Sequence, residues 1–185
     1  MTLALRSRLT LVYTAAFGIL LFAIVVIAYR LLAHQLDTDA SARLTELTEG
    51  LHGYLRFEGG TPALVFDEND ADQAAFVHEA GRYFQIYDAD TGELLVQSDA
   101  LGPLGVRFTP AEVQGFRNGS GLHEVVTDFG RLRISSSVIH PAGHRRYLLQ
   151  VGVSMRTIDG LLKRSLQILM SVSYTHLTLP TILLV

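Results

Sequence analysis

Residues 9–29, LTLVYTAAFGILLFAIVVIAY, carry no charge and are closed by Arg8 on one side and Arg30 on the other. About 20 apolar residues cross the hydrocarbon core of a bilayer as a helix, so this run is expected to span a membrane. A cleaved signal peptide is the competing account. Its apolar region is about 7–15 residues long and ends at a small-residue cleavage site; Val26-Ile27-Ala28 would serve as one. Length favours the uncleaved span. Arg6 and Arg8 lie on the N-terminal side together with the free amino group, and positive flanks stay in the cytoplasm. The expected topology therefore puts residues 1–8 in the cytoplasm, the span at 9–30, and the chain from residue 31 onward on the outer face.

Behind that span, a chain of 185 residues has room for one domain of ordinary size. The formal net charge is −3 and the sequence holds no basic stripe or basic helix, so nucleic acid is not an expected partner. Cysteine is absent, which excludes disulfides, cysteinyl zinc sites and thiol nucleophiles.

From residue 31 to about 57 there is no proline, and Leu36, Ala40, Leu44, Leu47, Leu51 and Leu55 recur at helical spacing. Asp37, Asp39, Arg43, Glu46 and Glu49 fall mostly on the other side, the pattern of an amphipathic helix. That helix is expected to continue the membrane helix outward as a linker over residues 31–60 and to end at Gly59-Gly60. The leucine stripe suits either packing on the domain's own sheet or a parallel partner helix. Strand-like segments come next. Residues 63–66 are a short apolar run. Residues 82–89 alternate as a half-buried strand, Asp90-Thr91-Gly92 is a tight turn, and residues 93–97 return as a second hairpin arm. Thr109, Pro110 and Glu112 form a capping box opening a short helix that finishes by Asn118-Gly119. Three more strands are expected at 121–128, 131–140 and 145–153, and a helix at 156–168. The fold class is thus α/β in the α+β sense: a transmembrane helix continuing into a long helix, then a mostly antiparallel sheet of about five strands. Residues 61–155 form this domain, and residues 156–171 lead into a second apolar segment beginning near Leu166.

Residues 172–181, VSYTHLTLPT, do not continue that apolar pattern. A membrane helix starting at Leu166 is not expected to pass at once to Tyr174, Thr175 and His176 and then meet Pro180. The string resembles the conceptual translation of a transposase-type sequencing adapter. On that expectation residues 172–185 carry no biology, and the natural chain continues past Ser171.

No residue set announces a catalytic or metal centre. Asp67, Glu68, Asp70 and Asp72 make an acidic loop whose oxygens suit a divalent cation. Ala71 occupies a ligand position and the required glycine is missing, so the loop is weak as a metal site. Residues 88–93 have a calcium-loop look, but the glycine falls one position early, and a hairpin turn is the expectation. His140 and His144 flank Pro141-Ala142-Gly143, a turn rather than the helix that such spacing would need. His78-Glu79 beside Arg82 reads as a helix-end pair. Ser135-Ser136-Ser137 lies in a strand, not at a nucleophile elbow, and Asn118-Gly119-Ser120 reads as a turn. Histidines titrate near neutrality, yet none is singled out.

With apolar segments at both ends, the domain resembles the PAS-like extracytoplasmic sensor domains of bacterial signalling receptors. The opening LRSRLTLVYTAAFGILLFAIVVIAYRLLAHQLDTDASARLTEL resembles the N-terminus of a two-component sensor histidine kinase. FQIYDADTGELLVQSDAL resembles the hairpin of such sensors, and YLLQVGVSMRTIDGLLKRSLQIL their last strand and descent to a second membrane helix. The resemblance covers about residues 3–170. It implies a bacterial inner-membrane protein with a periplasmic central domain, a homodimer joined through membrane and linker helices, and a cognate response regulator as partner of the full-length parent. It also implies a HAMP relay, a phosphoacceptor-histidine helix and an ATP-binding domain using ATP and Mg. This chain holds no H-E/D-x-x-x-P motif, Walker loop or G-x-G-x-x-G, so no cofactor, catalytic residue or metal ligand is expected in it. The same input module suits a chemoreceptor or a cyclic-dinucleotide enzyme. A membrane-anchored binding or adaptor protein is the remaining reading.

Overall fold

The computed structural model describes residues 5–58, 61–116, 121–141 and 145–182, with the side chains of 5–7, 58 and 177–182 left undescribed. The chain divides into two units, Met1–Asp37 with Thr157–Val185, and Thr38–Arg156.

The first unit holds the N-terminal part of helix α1 (Leu5–Tyr54) and helix α4 (Arg156–Ile182). Among the described residues α1 is the one helix long and apolar enough to cross a membrane, and only 6 % of its most apolar stretch is buried. Leu11, Ile19, Phe22 and Ile27 project outward, a pattern that costs free energy in water and none in hydrocarbon. On α4, Met170, Ser173 and Tyr174 face Leu21, Phe22 and Val25 of α1 across a crevice of about 250 Å³. Helix α4 runs through Tyr174 and His176 without a break. Ser173 Oγ donates to the Leu169 carbonyl and Thr175 Oγ1 to the Val172 carbonyl, both 2.8 Å, so these polar side chains are satisfied within the helix. Pro180 falls in the last turn of α4.

The second unit is built on a five-stranded antiparallel sheet. Its strands are β3 (Phe84–Asp88), β4 (Leu94–Gln97), β5 (Gly121–Thr127), β6 (Gly130–Ile139) and β7 (Tyr147–Ser154). Their order in the sheet is β4-β3-β7-β6-β5, so the last strand lies in the centre, between the first hairpin and the β5–β6 hairpin. The expected α+β class with about five mostly antiparallel strands is the one observed. Asp88-to-Gly92 forms the first turn: the Asp88 carboxylate accepts from the N–H groups of Asp90 and Thr91 at 2.8 and 2.9 Å. Gly92 has φ +76°, and an added Cβ would stand 2.5 Å from Pro110 Cα. Gly130, at φ +120°, turns β5 into β6.

Each face of the sheet has its own cover. On one face Leu44, Leu47 and Leu51 of α1 meet Ile86, Tyr147, Leu149 and Val151 in the largest core. The leucine stripe is therefore used inside the domain, the first of its two readings. On the other face helix α3 (Pro110–Phe116) lays Val113 over Tyr87 and Leu148, while Leu101 and Val106 cover Leu132 and Ile134. The capping box is formed: Thr109 N donates to Glu112 Oε2 at 2.7 Å, and Glu112 N to Thr109 Oγ1 at 3.4 Å. The Asn118-Gly119 end of that helix, and the glycosylation-like triplet, lie outside the described residues.

Two boundaries differ from the sequence reading. Helix α1 stops at Tyr54, and β1 (Leu55–Glu58) pairs with β2 (Thr61–Leu64) as a separate two-stranded sheet. Leu55 and Phe57 alternate with Arg56 and Glu58, so period-two burial takes over from helical spacing: Leu55 is buried and Phe57 packs on Tyr147 at 4.5 Å. Gly59-Gly60, expected to end the helix, lies outside the described residues. Helix α2 (Ala71–Ala80) succeeds the acidic loop, capped by Asp70.

Candidate functional site

One polar row crosses the sheet on its α3 face. Register places Ser136 of β6 opposite Gln150 of β7, and Gln150 opposite Gln85 of β3. All three are buried. Burying a polar group costs free energy unless it is hydrogen-bonded, and these bond to one another. Gln85 Nε2 donates to Gln150 Oε1 at 2.9 Å, and Gln150 Nε2 to Ser136 Oγ at 3.0 Å. At one end Phe108 N donates to the Tyr87 hydroxyl, 3.1 Å, which donates to Gln85 Oε1, 3.2 Å. At the other, Ser136 Oγ lies 2.8 Å from His123 Nε2, and His123 stacks on Phe116 with ring centroids 4.2 Å apart.

Burial acts on the titratable groups at both ends of this row. Burial lowers the pKa of His123, favouring the neutral ring. Ser136 Oγ accepts from Gln150 and shares a further hydrogen bond with His123 Nε2, in a direction set by the tautomer of the ring. Burial likewise raises the pKa of Tyr87, against a smaller opposing pull from the Phe108 N–H. From the Phe108 amide to Ser136 Oγ the row runs one way, and His123 closes its end. It joins a Ser to a His, but Glu124, the adjacent acid, is on the opposite face, where it accepts from Arg133 and Arg131. The arrangement satisfies the buried polar groups of the three central strands.

The residues singled out in the sequence do not converge. Asp67 accepts from Asn69 N at 2.9 Å, and Asp70 accepts from Asp72 N and Gln73 N as the cap of α2. The Asp70 carboxyl is held below its ordinary pKa by the Gln73 backbone N–H and then its side chain. Asp67 and Glu68 are exposed loop residues, and Asp72 lies in the first turn of α2. Among the described residues no group of three or more His, Asp or Glu side chains is placed to hold a metal ion. Glu79 is paired with Arg43 of α1 at 2.7 Å, which raises the Arg43 pKa. His140 is exposed beyond β6, and His144 lies outside the described residues. Arg8 and Arg30 are exposed on α1, and the side chain of Arg6 lies outside those described. Arg30 follows Arg8 by 22 positions, about 33 Å of helix, close to the thickness of a bilayer core.

The Gln–Gln–Ser row escapes the sequence reading. Gln85 reads there only as one position of an alternating strand, and Gln150 sits within the apolar run YLLQVGV. A glutamine inside such a run is the available signal. No protein-family model matches the chain, and no curated protein matches it in sequence.

Proposed function

We propose that this chain is the extracytoplasmic signal-sensing and transmembrane-signalling portion of a two-component sensor histidine kinase of the bacterial inner membrane. The observation that carries the reading is how the domain is joined to its helices. The same helix that is apolar enough to span a membrane becomes, at Leu44–Leu51, one wall of the domain core. The central strand β7 passes through buried Met155 directly into α4. Polar ties add to the apolar contact: Arg133 Nη1 donates to Ser41 Oγ at 2.9 Å, and Arg43 pairs with Glu79 of α2. A rearrangement of the sheet thus shifts the helix it is packed against. Ligand that favours one arrangement biases the helix toward it.

On this reading the domain is periplasmic and residues 1–8 are cytoplasmic. The parent is a homodimer through its membrane helices, and it phosphorylates a response regulator through domains downstream of α4 that use ATP and Mg. Residues 172–185 are adapter-derived. Long-read sequencing of the source locus across codon 171, without transposase adapters, tests the output. The reading expects the frame to run through an apolar helix into a phosphoacceptor-histidine domain. A genomic VSYTHLTLPTILLV ending in a stop would instead make the protein a small membrane-anchored module. A chemoreceptor hairpin or a cyclic-dinucleotide domain would also overturn the kinase assignment.

A further inference from the structure

Helix α2, the end of β2 and the turn after β4 enclose a cleft of about 720 Å³, within the usual range for small-molecule sites. It lies wholly in the unit Thr38–Arg156. Leu64, Phe66, Val77 and Phe84 supply its apolar lining. Small residues leave the space between them. Ala74 and Ala75 of α2 line it, and at Gly81 an added Cβ would stand 3.7 Å from Leu64 Cδ1 and 3.9 Å from Phe84 Cδ1. Phe84 is part of the core that holds Leu47 and Leu51 of α1, and Leu64 packs on that core. An occupant of the cleft therefore rests on side chains that also support α1.

Two opposite charges stand on this lining. Arg82 comes from the turn Gly81–Tyr83 that follows α2, Asp99 from the turn after β4, and both are exposed. The Arg82 guanidinium lies over the Tyr83 ring, 5.3 Å from its centroid. Stacking uses the face of a guanidinium and leaves the in-plane N–H donors at its edges for an anion. Asp99 offers carboxylate acceptors. Among the described residues neither side chain forms an ion pair. His78 stands on the same lining and adds a ring nitrogen.

We propose that this cleft binds a free α-amino acid with an apolar side chain. Its carboxylate is directed at Arg82, its ammonium at Asp99, and its side chain at Leu64, Val77 and Phe84. An ammonium is a donor with no acceptor, which suits Asp99 and not Arg82, and a carboxylate suits Arg82 and not Asp99. A small zwitterion on an apolar body answers both charges and the apolar wall together. Binding is read directly and does not depend on what lies downstream of α4, so the site and the kinase assignment can fail separately.

The test is calorimetric titration of the full chain in an uncharged detergent, against a blank of detergent alone. The titrants are L-leucine, L-phenylalanine, glycine, 3-phenylpropionate and phenethylamine, and the Leu64 and Val77 methyl resonances are followed by NMR. The expected result is saturable binding of leucine or phenylalanine that shifts both sets of methyl signals. Glycine, which lacks the apolar side chain, and the two analogues that each lack one charge should bind more weakly. Arg82→Gln and Asp99→Asn should each weaken binding about three- to tenfold, between the range of an exposed ion pair and that of a charge-assisted hydrogen bond. Ala74→Leu, which fills the cleft, should abolish it. No saturation by either amino acid, a singly charged analogue binding as well as phenylalanine, or affinity unchanged in either charge variant would each overturn the proposal. Arg82 and Asp99 are exposed, so their variants decide the matter even if Ala74→Leu does not fold.

Discussion

Asp88 is buried at the end of β3, and its carboxylate holds the turn closed. Burial alone would raise its pKa, but the N–H groups of Thr91 and Asp90, and then the Arg145 guanidinium, outweigh it and hold the carboxyl below its ordinary value. A depressed carboxylate pKa stabilises the fold above the unfolded value, near 4, and that stabilisation is lost as pH falls through the folded value. Asp88→Ala leaves two backbone donors without their acceptor and should cost about 1–3 kcal/mol. Urea unfolding monitored by circular dichroism measures it, and the variant should show a flatter stability profile than the parent between pH 5 and pH 3. His123 titrates with the opposite charge change. Its folded pKa is lowered, so stability falls as pH drops below the unfolded value of about 6.5 toward the folded one. Protonation also makes both ring nitrogens donors, so Ser136 Oγ must then accept from Nε2. His123→Gln should flatten the stability profile between pH 7 and pH 5, measured by thermal unfolding across that range. A profile identical to that of the parent would show that the polar row does not respond to His123.

At the scale of elements, α1 carries two kinds of burial in one helix. Leu47 is buried at the centre of the contact between α1 and the sheet. Leu47→Ala should destabilise the domain by about 2–5 kcal/mol through lost transfer free energy and the cavity left behind, measured by denaturant unfolding. Leu32→Ala, on the exposed apolar stretch, should change that transition little. Most elements are legible in the sequence because local rules and tertiary packing agree. The capping box at Thr109, the Asp90-Thr91-Gly92 turn and the three final strands each combine a periodic pattern with clear punctuation. Disagreements arise where two periods overlap. Leu55 satisfies both the helical spacing of Leu51 and the strand alternation with Phe57, and contact of Phe57 with Tyr147 settles it as strand. Asp70 reads as one acid among several, because its role as a cap depends on a ten-residue helix with weak amphipathic patterning. The groove between α1 and the β5–β6 hairpin, with His52 on one wall and Ser137 on the other, is illegible for a different reason: it joins residues about 85 positions apart, and no local pattern records that.

For the whole molecule, the long apolar helix sets the account. Its outward-facing Leu, Ile and Phe side chains favour a nonpolar surrounding, while the unit Thr38–Arg156 closes cores of its own on both faces of the sheet. On the proposed function, the side of the membrane that unit occupies decides whether it senses the outside or the cytoplasm. The absence of cysteine makes this directly measurable. Single cysteines at Thr2→Cys and Glu68→Cys, in cells expressing the chain, are exposed to a membrane-impermeant maleimide before and after permeabilisation. The account predicts that Glu68→Cys is labelled in intact cells and Thr2→Cys only after permeabilisation. Labelling of Thr2→Cys in intact cells with Glu68→Cys protected would place the domain in the cytoplasm and contradict it.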